Sequence, residues 1–216
     1  KETLQRLADF CAEHNILVVS DEIHADIALY SAKHVPFASV SEAARNNSIT
    51  FGAPTKTFNC AGVVSSWTVV PNKELRERFF TWLVANEIDC PPMFSPTVAI
   101  AAYRHGAEWR KEMLRYIEGN IDFVVDYCQE HIPGIIAQRP EASFLIWLDC
   151  RALELSHDEL NHLFVDEAHL ALNDGEMFGA GGEGFMRLNV GVPRKVLEQA
   201  LKQLAEAVAK LPSTQS

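Results

Sequence analysis

The stretch that decides the fold reads Gly52-Ala53-Pro54-Thr55-Lys56-Thr57-Phe58-Asn59, and it directly follows a strand-forming run over residues 48–51. A second stretch, Ser20-Asp21-Glu22-Ile23-His24, follows another apolar run over residues 16–19 in the same way. Polar side chains just past the carboxyl ends of apolar strands lie in the crevice where open α/β sheets bind ligands. The two stretches therefore predict an α/β layer with a ligand site at the ends of neighbouring strands.

Lys56 and Asp21 are the residues of these stretches that could share one ligand. A lysine amine can form a Schiff base, and a carboxylate can hold a protonated pyridine nitrogen. Together these groups are what a protein contributes to the chemistry of pyridoxal 5'-phosphate (PLP). Taken alone, Lys56 is better explained as a solvated loop lysine, and Asp21 equally well as an Asx turn or a helix cap. His24 could reach the same ligand, although a lone histidine is more often a turn residue.

Arg187 lies in the middle of a strand-like apolar run, Phe185-Met186-Arg187-Leu188-Asn189-Val190. A guanidinium flanked by apolar residues is costly to bury unless it has an anionic partner. It can bind a carboxylate through two parallel hydrogen bonds, which makes the carboxylate of a ligand one candidate partner. The alternative, which Arg187 taken alone favours, is a structural salt bridge within the protein.

The composition argues against several classes of function. With 216 residues and 48% hydrophobic content, the chain can bury one good core or two small ones. Its net charge of −10 argues against a nucleic-acid partner or an anionic membrane surface. The five cysteines are scattered and odd in number, which is typical of free thiols in a reducing cytoplasm. The sequence contains no HExxH motif, no cysteine–histidine zinc spacing and no GxSxG motif, so no metal site is predicted.

The order of periodic segments divides the chain into three parts. Residues 1–106 alternate helices with near-continuous apolar strands, which predicts part of a large domain with a mostly parallel sheet. Residues 107–133 carry one long connecting helix. Residues 134–216 predict a small α+β domain, in which Ser156 opens a helix through a capping box. The individual elements are expected at 2–13, 16–20, 48–52, 65–70, 73–86, 95–105, 108–131, 143–149, 157–167, 185–190 and 193–210.

Five ordered motifs, taken together, resemble the fold-type I PLP enzymes of the class I and II aminotransferase family. The likeness is greatest to the branch of bacterial cystathionine β-lyases and carbon–sulfur lyases of the MalY/PatB type. The motifs follow the order of that family and spread over nearly the whole chain, so together they are far more specific than any one alone. They read SDEIHAD (20–26), HVPFAS (34–39), APTKTFNCAG (53–62), LNDGEMFG (172–179) and GFMRLNVGVPR (184–194).

The resemblance implies a role for each candidate site residue. Lys56 corresponds to the lysine that forms the Schiff base with PLP and moves the proton at the substrate Cα. Asp21 corresponds to the acid paired with the pyridine nitrogen. His24 corresponds to a position near the phenolic oxygen of the ring, where histidine favours the lyase branch. Arg187 corresponds to the arginine that binds the substrate α-carboxylate, and Thr55 to a position that could touch the phosphate.

The chain also departs from the pattern of the family. Ala53 and Val64 stand where many aminotransferases place a serine and an arginine that bind the phosphate. The likeness begins about midway along the chain of the family, and Lys1 opens inside a helical pattern without an N-cap. We therefore expect a C-terminal fragment that lacks the phosphate-cradling turn, binds PLP poorly and is inactive alone.

For the parent enzyme, the resemblance implies a PLP-dependent carbon–sulfur lyase that performs β-elimination on cystathionine or a cysteine conjugate. Its cofactor would be PLP, and its substrate a sulfur-containing amino acid. An aminotransferase is the alternative within the same chemistry. A non-catalytic, self-associating fragment is the alternative of another class, because exposed sheet edges and half a core favour association. We further expect a cytoplasmic homodimer with neither a nucleic-acid nor a membrane partner.

Overall fold

The computed structural model describes residues 1–212, which form two compact units. The first unit is Lys1–Glu112, and the second begins at Met113, within a long helix. Residues 213–216 of the predicted small domain lie outside the described residues. The boundary between the units falls inside the expected connecting helix, and the three-part division of the chain stays a prediction.

The sheet of the first unit consists of β1 (Val18–Asp21), β2 (Ser48–Gly52) and β3 (Trp67–Val69). β1 and β2 pair in parallel, whereas β2 and β3 pair antiparallel. Because parallel strands end at the same edge of a sheet, the carboxyl ends of β1 and β2 are neighbours. Gly52 ends β2 where only glycine fits, because an added Cβ would overlap the ring of Trp67 on β3.

The helices of the first unit begin at residues that satisfy free backbone donors. The Ser41 side chain accepts a hydrogen bond from the Ala44 amide, and the Asn72 side chain accepts one from the Leu75 amide. No helix within residues 1–212 is long and apolar enough to cross a membrane. The helices are α1 (Glu2–Glu13), α2 (Glu42–Asn46), α3 (Pro54–Thr57), α4 (Lys73–Ala85), α5 (Ser95–His105) and α6 (Ala107–His131), which continues into the second unit.

The second unit contains an antiparallel sheet with helices at its connections. The strands are β4 (Ile136–Gln138), β5 (Leu145–Asp149), β6 (Asn173–Asp174) and β7 (Phe185–Asn189), in the spatial order β4-β5-β7-β6. The helices are α7 (His157–His162), which continues as a π-helical turn over Leu163–Glu167, and α8 (Arg194–Val208). The capping box predicted at Ser156 is present, because its hydroxyl accepts from the Glu159 amide and Glu159 binds the Ser156 amide.

The core of the second unit follows from the two-residue period of its strands. Alternate side chains of β5 and β7 are buried, and α8 buries residues that recur at helical spacing. Each fully buried aliphatic side chain contributes on the order of 1.5–3 kcal/mol. These buried side chains are Ile146, Leu148, Met186, Leu188, Leu197, Leu201 and Leu204.

A buried polar network ties α6 to the start of α8. The Asn120 amide is fully buried and donates to the carbonyls of Val190 and Val192 at 2.9 and 3.0 Å. Its oxygen accepts from Nε of Arg194 at 2.9 Å, and the Arg194 guanidinium lies 4.5 Å above the Phe123 ring. The amide nitrogen and the amide oxygen of Asn120 are thus both hydrogen-bonded. Burying this side chain is therefore stabilising rather than costly.

The cysteines are free thiols, as their number and spacing predict. Cys11, Cys128 and Cys150 are buried and fill the core as small apolar residues, whereas Cys90 is exposed. Burial raises the pKa of Cys128 to about 12. Burial, followed by the charges of Asp149 and Cys128, raises the pKa of Cys150 to about 12 as well. These two thiols therefore stay neutral at physiological pH.

Candidate active site

The candidate site lies where β1 and β2 end. Asp21 is the last residue of β1 and the register partner of Phe51 in the parallel neighbour β2. Lys56 belongs to α3, the short helix that directly follows β2. The backbone thus carries both residues just beyond the same edge of adjacent parallel strands, which is the placement that the sequence predicts for a shared ligand.

Asp21 is exposed and keeps most of its hydrogen-bonding capacity. One carboxylate oxygen accepts from the Ile23 amide at 3.1 Å, which closes an Asx turn. Within residues 1–212 this carboxylate makes no other hydrogen bond and no ion pair, so its second oxygen can accept from a ligand. The turn and the ligand role are compatible, because an ionised carboxylate has room for several donors.

Lys56 extends from a helix that is otherwise anchored. Its neighbours Thr55 and Thr57 are buried, while Lys56 itself is exposed and has no acidic partner within the described residues. The Thr57 hydroxyl donates to a carboxylate oxygen of Asp26 at 3.4 Å, and Nε of Arg110 donates to the Asp26 carbonyl at 2.7 Å. The Lys56 side chain is therefore accessible to a ligand, on a short helix whose neighbouring residues are buried and hydrogen-bonded.

Glu22 has a role that sequence reasoning missed. Although it is adjacent to Asp21, it is buried, and its carboxylate accepts from the Ser20 hydroxyl at 3.0 Å and from the Phe37 amide at 2.9 Å. It also lies 2.7 Å from Nε2 of His34. These contacts offset the cost of burying the charge. Glu22 thereby connects the end of β1 to the segment at 34–37. The motifs SDEIHAD and HVPFAS contain Glu22 and this segment, and their joint presence was the signal in the sequence that could have indicated the contact.

His24 and Thr55 lie in the first unit beside these residues. His24 is half-buried in the turn that follows β1, where its carbonyl accepts from the Ile27 amide at 2.9 Å. Thr55 is buried in α3, and its carbonyl accepts from the Cys60 amide at 3.0 Å. These backbone bonds fix both residues close to the ends of β1 and β2. Their contacts with a cofactor stay predictions.

Arg187 lies on β7 in the second unit and lacks the structural salt bridge that its sequence context favours. Its Nη2 donates to Oδ1 of Asn173 at 2.9 Å, and its guanidinium lies 4.5 Å above the Phe178 ring. Its Nε is buried without a hydrogen-bond partner. Within residues 1–212 no carboxylate pairs with it. Two neutral contacts thus hold a half-buried cation that has no anionic partner within residues 1–212.

Ala53 and Val64, which stand where many aminotransferases have a phosphate-binding serine and arginine, offer no side-chain hydrogen-bond donor. Ala53 is buried before α3, and Val64 is exposed with a left-handed backbone, φ +52°. Neither side chain can hydrogen-bond a phosphate, so these two positions cannot supply those contacts. The residues present therefore fit the aldehyde and the pyridine nitrogen of PLP, whereas phosphate binding needs other groups. Within the described residues, no cluster of histidine, cysteine or acidic side chains could hold a metal ion.

Comparison with known proteins shows the family of the chain. The model of the family described as aminotransferase class I and II matches residues 1–204. The chain belongs to this family. This class I and II family member is 39% identical over 209 residues to the cystathionine beta-lyase PatB of Bacillus subtilis (strain 168), an alignment that covers 97% of this chain and 54% of PatB. The chain spans about half the length of the curated relatives it matches.

Solved structures of relatives share the fold of this family member. A PLP-bound protein from Clostridium difficile 630, provisionally named an aminotransferase, matches with a TM-score of 0.93 at 40% identity, over 96% of this chain and 54% of that chain. Cystalysin from Treponema denticola, whose structure contains PLP, matches with a TM-score of 0.94 at 31% identity, over 98% of this chain and 54% of that chain. The predicted family and α/β fold class are confirmed, while the roles of the individual site residues stay predictions.

Proposed function

We propose that this chain carries the catalytic lysine of a PLP-dependent carbon–sulfur lyase that eliminates a thiol from cystathionine or a related cysteine conjugate. The observation that carries the proposal is the placement of an unpaired lysine and an exposed carboxylate beyond one edge of adjacent parallel strands. The relationship to PatB, a cystathionine beta-lyase, supports this substrate class.

Two residues of the first unit would hold the cofactor. The Lys56 amine would bind it through its aldehyde carbon, and the Asp21 carboxylate would accept a hydrogen bond from its pyridine nitrogen. Because an adjacent negative charge favours the protonated form of a base, Asp21 keeps that nitrogen charged. When bound, PLP withdraws electrons from the Cα of an amino acid. His24 would approach the phenolic oxygen, and Thr55 the phosphate.

Lys56 and Arg187 would act on the substrate. Arg187 binds the α-carboxylate, since its guanidinium is held by Asn173 and Phe178 but has no anionic partner within residues 1–212. Lys56 would take the proton from Cα at its Nζ. The thiolate then leaves from Cβ. Arg187 would thus orient the substrate, and Lys56 would transfer its proton.

An aminotransferase is the second candidate, favoured by the name of the C. difficile relative. The same lysine would then move the Cα proton without the departure of a thiolate. The products discriminate the two reactions, because elimination from cystathionine releases pyruvate, ammonia and a thiol, whereas transamination releases a keto acid that retains the sulfur. A non-catalytic protein, the alternative of another class, would neither bind PLP in a defined spectroscopic form nor release either product.

We also propose a domain assignment, an oligomeric state and a cellular location for the protein. The first unit would belong to the large PLP-binding domain, and the second would form the small domain. Self-association into a homodimer is supported by large exposed apolar side chains in the first unit, among them Trp82, Met93 and Phe94. A cytoplasmic location is supported by the free thiols.

The test uses the protein in its full native length, titrated with PLP and assayed for pyruvate release from cystathionine. The parent should develop a visible absorption band and turn over. The Lys56→Ala variant should lose both, with a fall in kcat of about 10²–10⁴-fold. Lys73→Ala is the matched control, because Lys73 is an exposed lysine at the start of α4 that pairs with Glu77. Near-parental elimination by Lys56→Ala would reject the proposal.

A further inference from the structure

His157 begins α7 and lies between two carboxylates of the segment at 173–178. Its Nε2 is 3.2 Å from Oδ2 of Asp174, and its Nδ1 is 3.1 Å from Oε1 of Glu176. Each ring nitrogen of His157 thus faces one carboxylate, and Nε2 also lies 3.0 Å from the amide nitrogen of Asn161. Asn161, one turn further along α7, donates to the same oxygen of Asp174 at 3.3 Å. The charged groups that face His157 are thus Asp174 and Glu176.

The segment that His157 holds is also constrained at its other side. Gly175 and Gly182 are both buried, and a Cβ added to either would overlap backbone atoms of the other. The Glu176 amide donates to Oδ1 of Asp174 at 3.0 Å, which closes a tight turn. Since the segment packs backbone against backbone, a displacement of Asp174 or Glu176 is passed to its neighbours instead of being absorbed.

The same segment supplies both contacts that orient the guanidinium of Arg187. Asn173 accepts the hydrogen bond from Nη2, and Phe178 lies beneath the guanidinium plane. The Asn173 amide nitrogen donates to Sδ of Met177 at 3.7 Å, which turns its oxygen towards Arg187. Asn173 is also the register partner of Arg187 across β6 and β7. The position of the cation therefore depends on residues 173–178.

We propose that His157 is a positioning residue for substrate binding, which holds residues 173–178 so that Asn173 and Phe178 present the Arg187 guanidinium to the α-carboxylate. The inference rests on the proposed function, in which Arg187 binds that carboxylate. Without His157, the Asp174 and Glu176 carboxylates lose the side chain that contacts both of them, and the segment is held less firmly. The guanidinium then loses preorganisation, which weakens carboxylate binding while leaving proton transfer by Lys56 intact.

The experiment compares His157→Gln with a matched control in the full-length PLP-loaded enzyme. Glutamine keeps a donor for one carboxylate but lacks the two ring nitrogens that face Asp174 and Glu176. The control is His162→Gln, because His162 lies on the same helix between Asp166 and Glu167, at 2.7 and 3.7 Å. Those two carboxylates are outside the segment at 173–178. The measured quantities are KM and kcat for cystathionine, together with the thermal unfolding midpoint of each variant.

The expected result is a KM effect specific to His157. His157→Gln should raise KM about 3–10-fold with kcat within about twofold of the parent, since uniform binding is lost. His162→Gln should change neither constant. His157→Arg should recover most of the affinity, because a guanidinium has enough donors for both carboxylates. In an Arg187→Lys background, His157→Gln should add no further rise in KM, because both changes act on one contact.

Several results would overturn the inference. Equal KM values for His157→Gln and His162→Gln would reject it, as would full additivity with Arg187→Lys. A His157→Gln variant that loses kcat and unfolds at a much lower temperature would assign a merely structural role. If Arg187→Lys raises KM and His157→Gln does not, the inference about His157 is rejected while the proposed role of Arg187 stands. If Arg187→Lys itself leaves KM unchanged, the carboxylate role of Arg187 fails and the inference fails with it.

Discussion

Asp21 faces Phe51 as its register partner across the parallel pair of β1 and β2, and the chain runs from Phe51 through Gly52 directly into the helix that carries Lys56. A parallel pair brings the carboxyl ends of two strands to one edge, which antiparallel pairing would not do. The parallel pairing therefore places the Asp21 carboxylate and the Lys56 amine at the same edge of the sheet, although the two residues are far apart in sequence.

Asp21→Asn should lower kcat of the full-length enzyme about 10²–10³-fold without unfolding it, because a neutral amide cannot keep a pyridine nitrogen protonated. The substitution preserves the Asx turn, since the asparagine oxygen can still accept from the Ile23 amide. Asp9→Asn, at an exposed position on α1, is the control. Pyruvate release measures the effect. An unchanged rate would mean that Asp21 serves only to close the Asx turn.

Arg187→Lys should raise KM for the amino-acid substrate about 10-fold or more, because lysine cannot offer the two parallel donors of a guanidinium. Lysine also loses the planar contact with Phe178. Arg139→Lys, an exposed arginine after β4, is the matched control. Steady-state kinetics on cystathionine provide the measurement. Unaltered affinity would mean that Arg187 serves the fold and not the substrate.

Asn120→Leu should destabilise the protein by about 2–5 kcal/mol, because the carbonyls of Val190 and Val192 and the Arg194 guanidinium lose their buried partner. Gln129→Leu replaces an exposed amide on the same helix and should cost less than about 0.5 kcal/mol. Denaturant unfolding of both variants gives the comparison. Equal midpoints would show that the network contributes nothing measurable.

The thiols should differ in reactivity and in their effect on stability. Cys90 should react with a thiol reagent in the native protein, whereas Cys128 and Cys150 should react only on unfolding. Burial raises the pKa of Cys128 and of Cys150 from 9.0 to about 12, so each of these two thiols binds its proton more tightly in the folded state. Their contribution to stability is complete below pH 9 and is lost as the pH rises towards 12.

Unfolding measured across this alkaline range should show a steeper loss of stability in the parent than in Cys128→Ala, which removes one of these protons. Cys90→Ser is the control, because Cys90 is exposed and should leave the pH dependence unchanged. Identical slopes for the parent and Cys128→Ala would contradict the assignment.

The elements with strong local signals could be predicted from the sequence to within a few residues. The helix predicted over 73–86 is observed at Lys73–Ala85, and the strand predicted over 48–52 is observed at those residues. The short elements α2, α3, β4 and β6 were not predicted, because two to five residues are too few to establish a period. The missed α3 is the helix that presents Lys56.

The sequence by itself determined the α/β alternation, the helix caps and the ordered motifs, because these depend on residues close together along the chain. Only the tertiary structure decided that Glu22 is buried and binds the segment at 34–37, whereas its neighbour Asp21 stays exposed. It also decided that Arg187 contacts Asn173 and Phe178 and no acid within residues 1–212. Such contacts join residues that are distant in sequence, and their hydrogen bonds depend on distances of a few tenths of an ångström that no local pattern encodes.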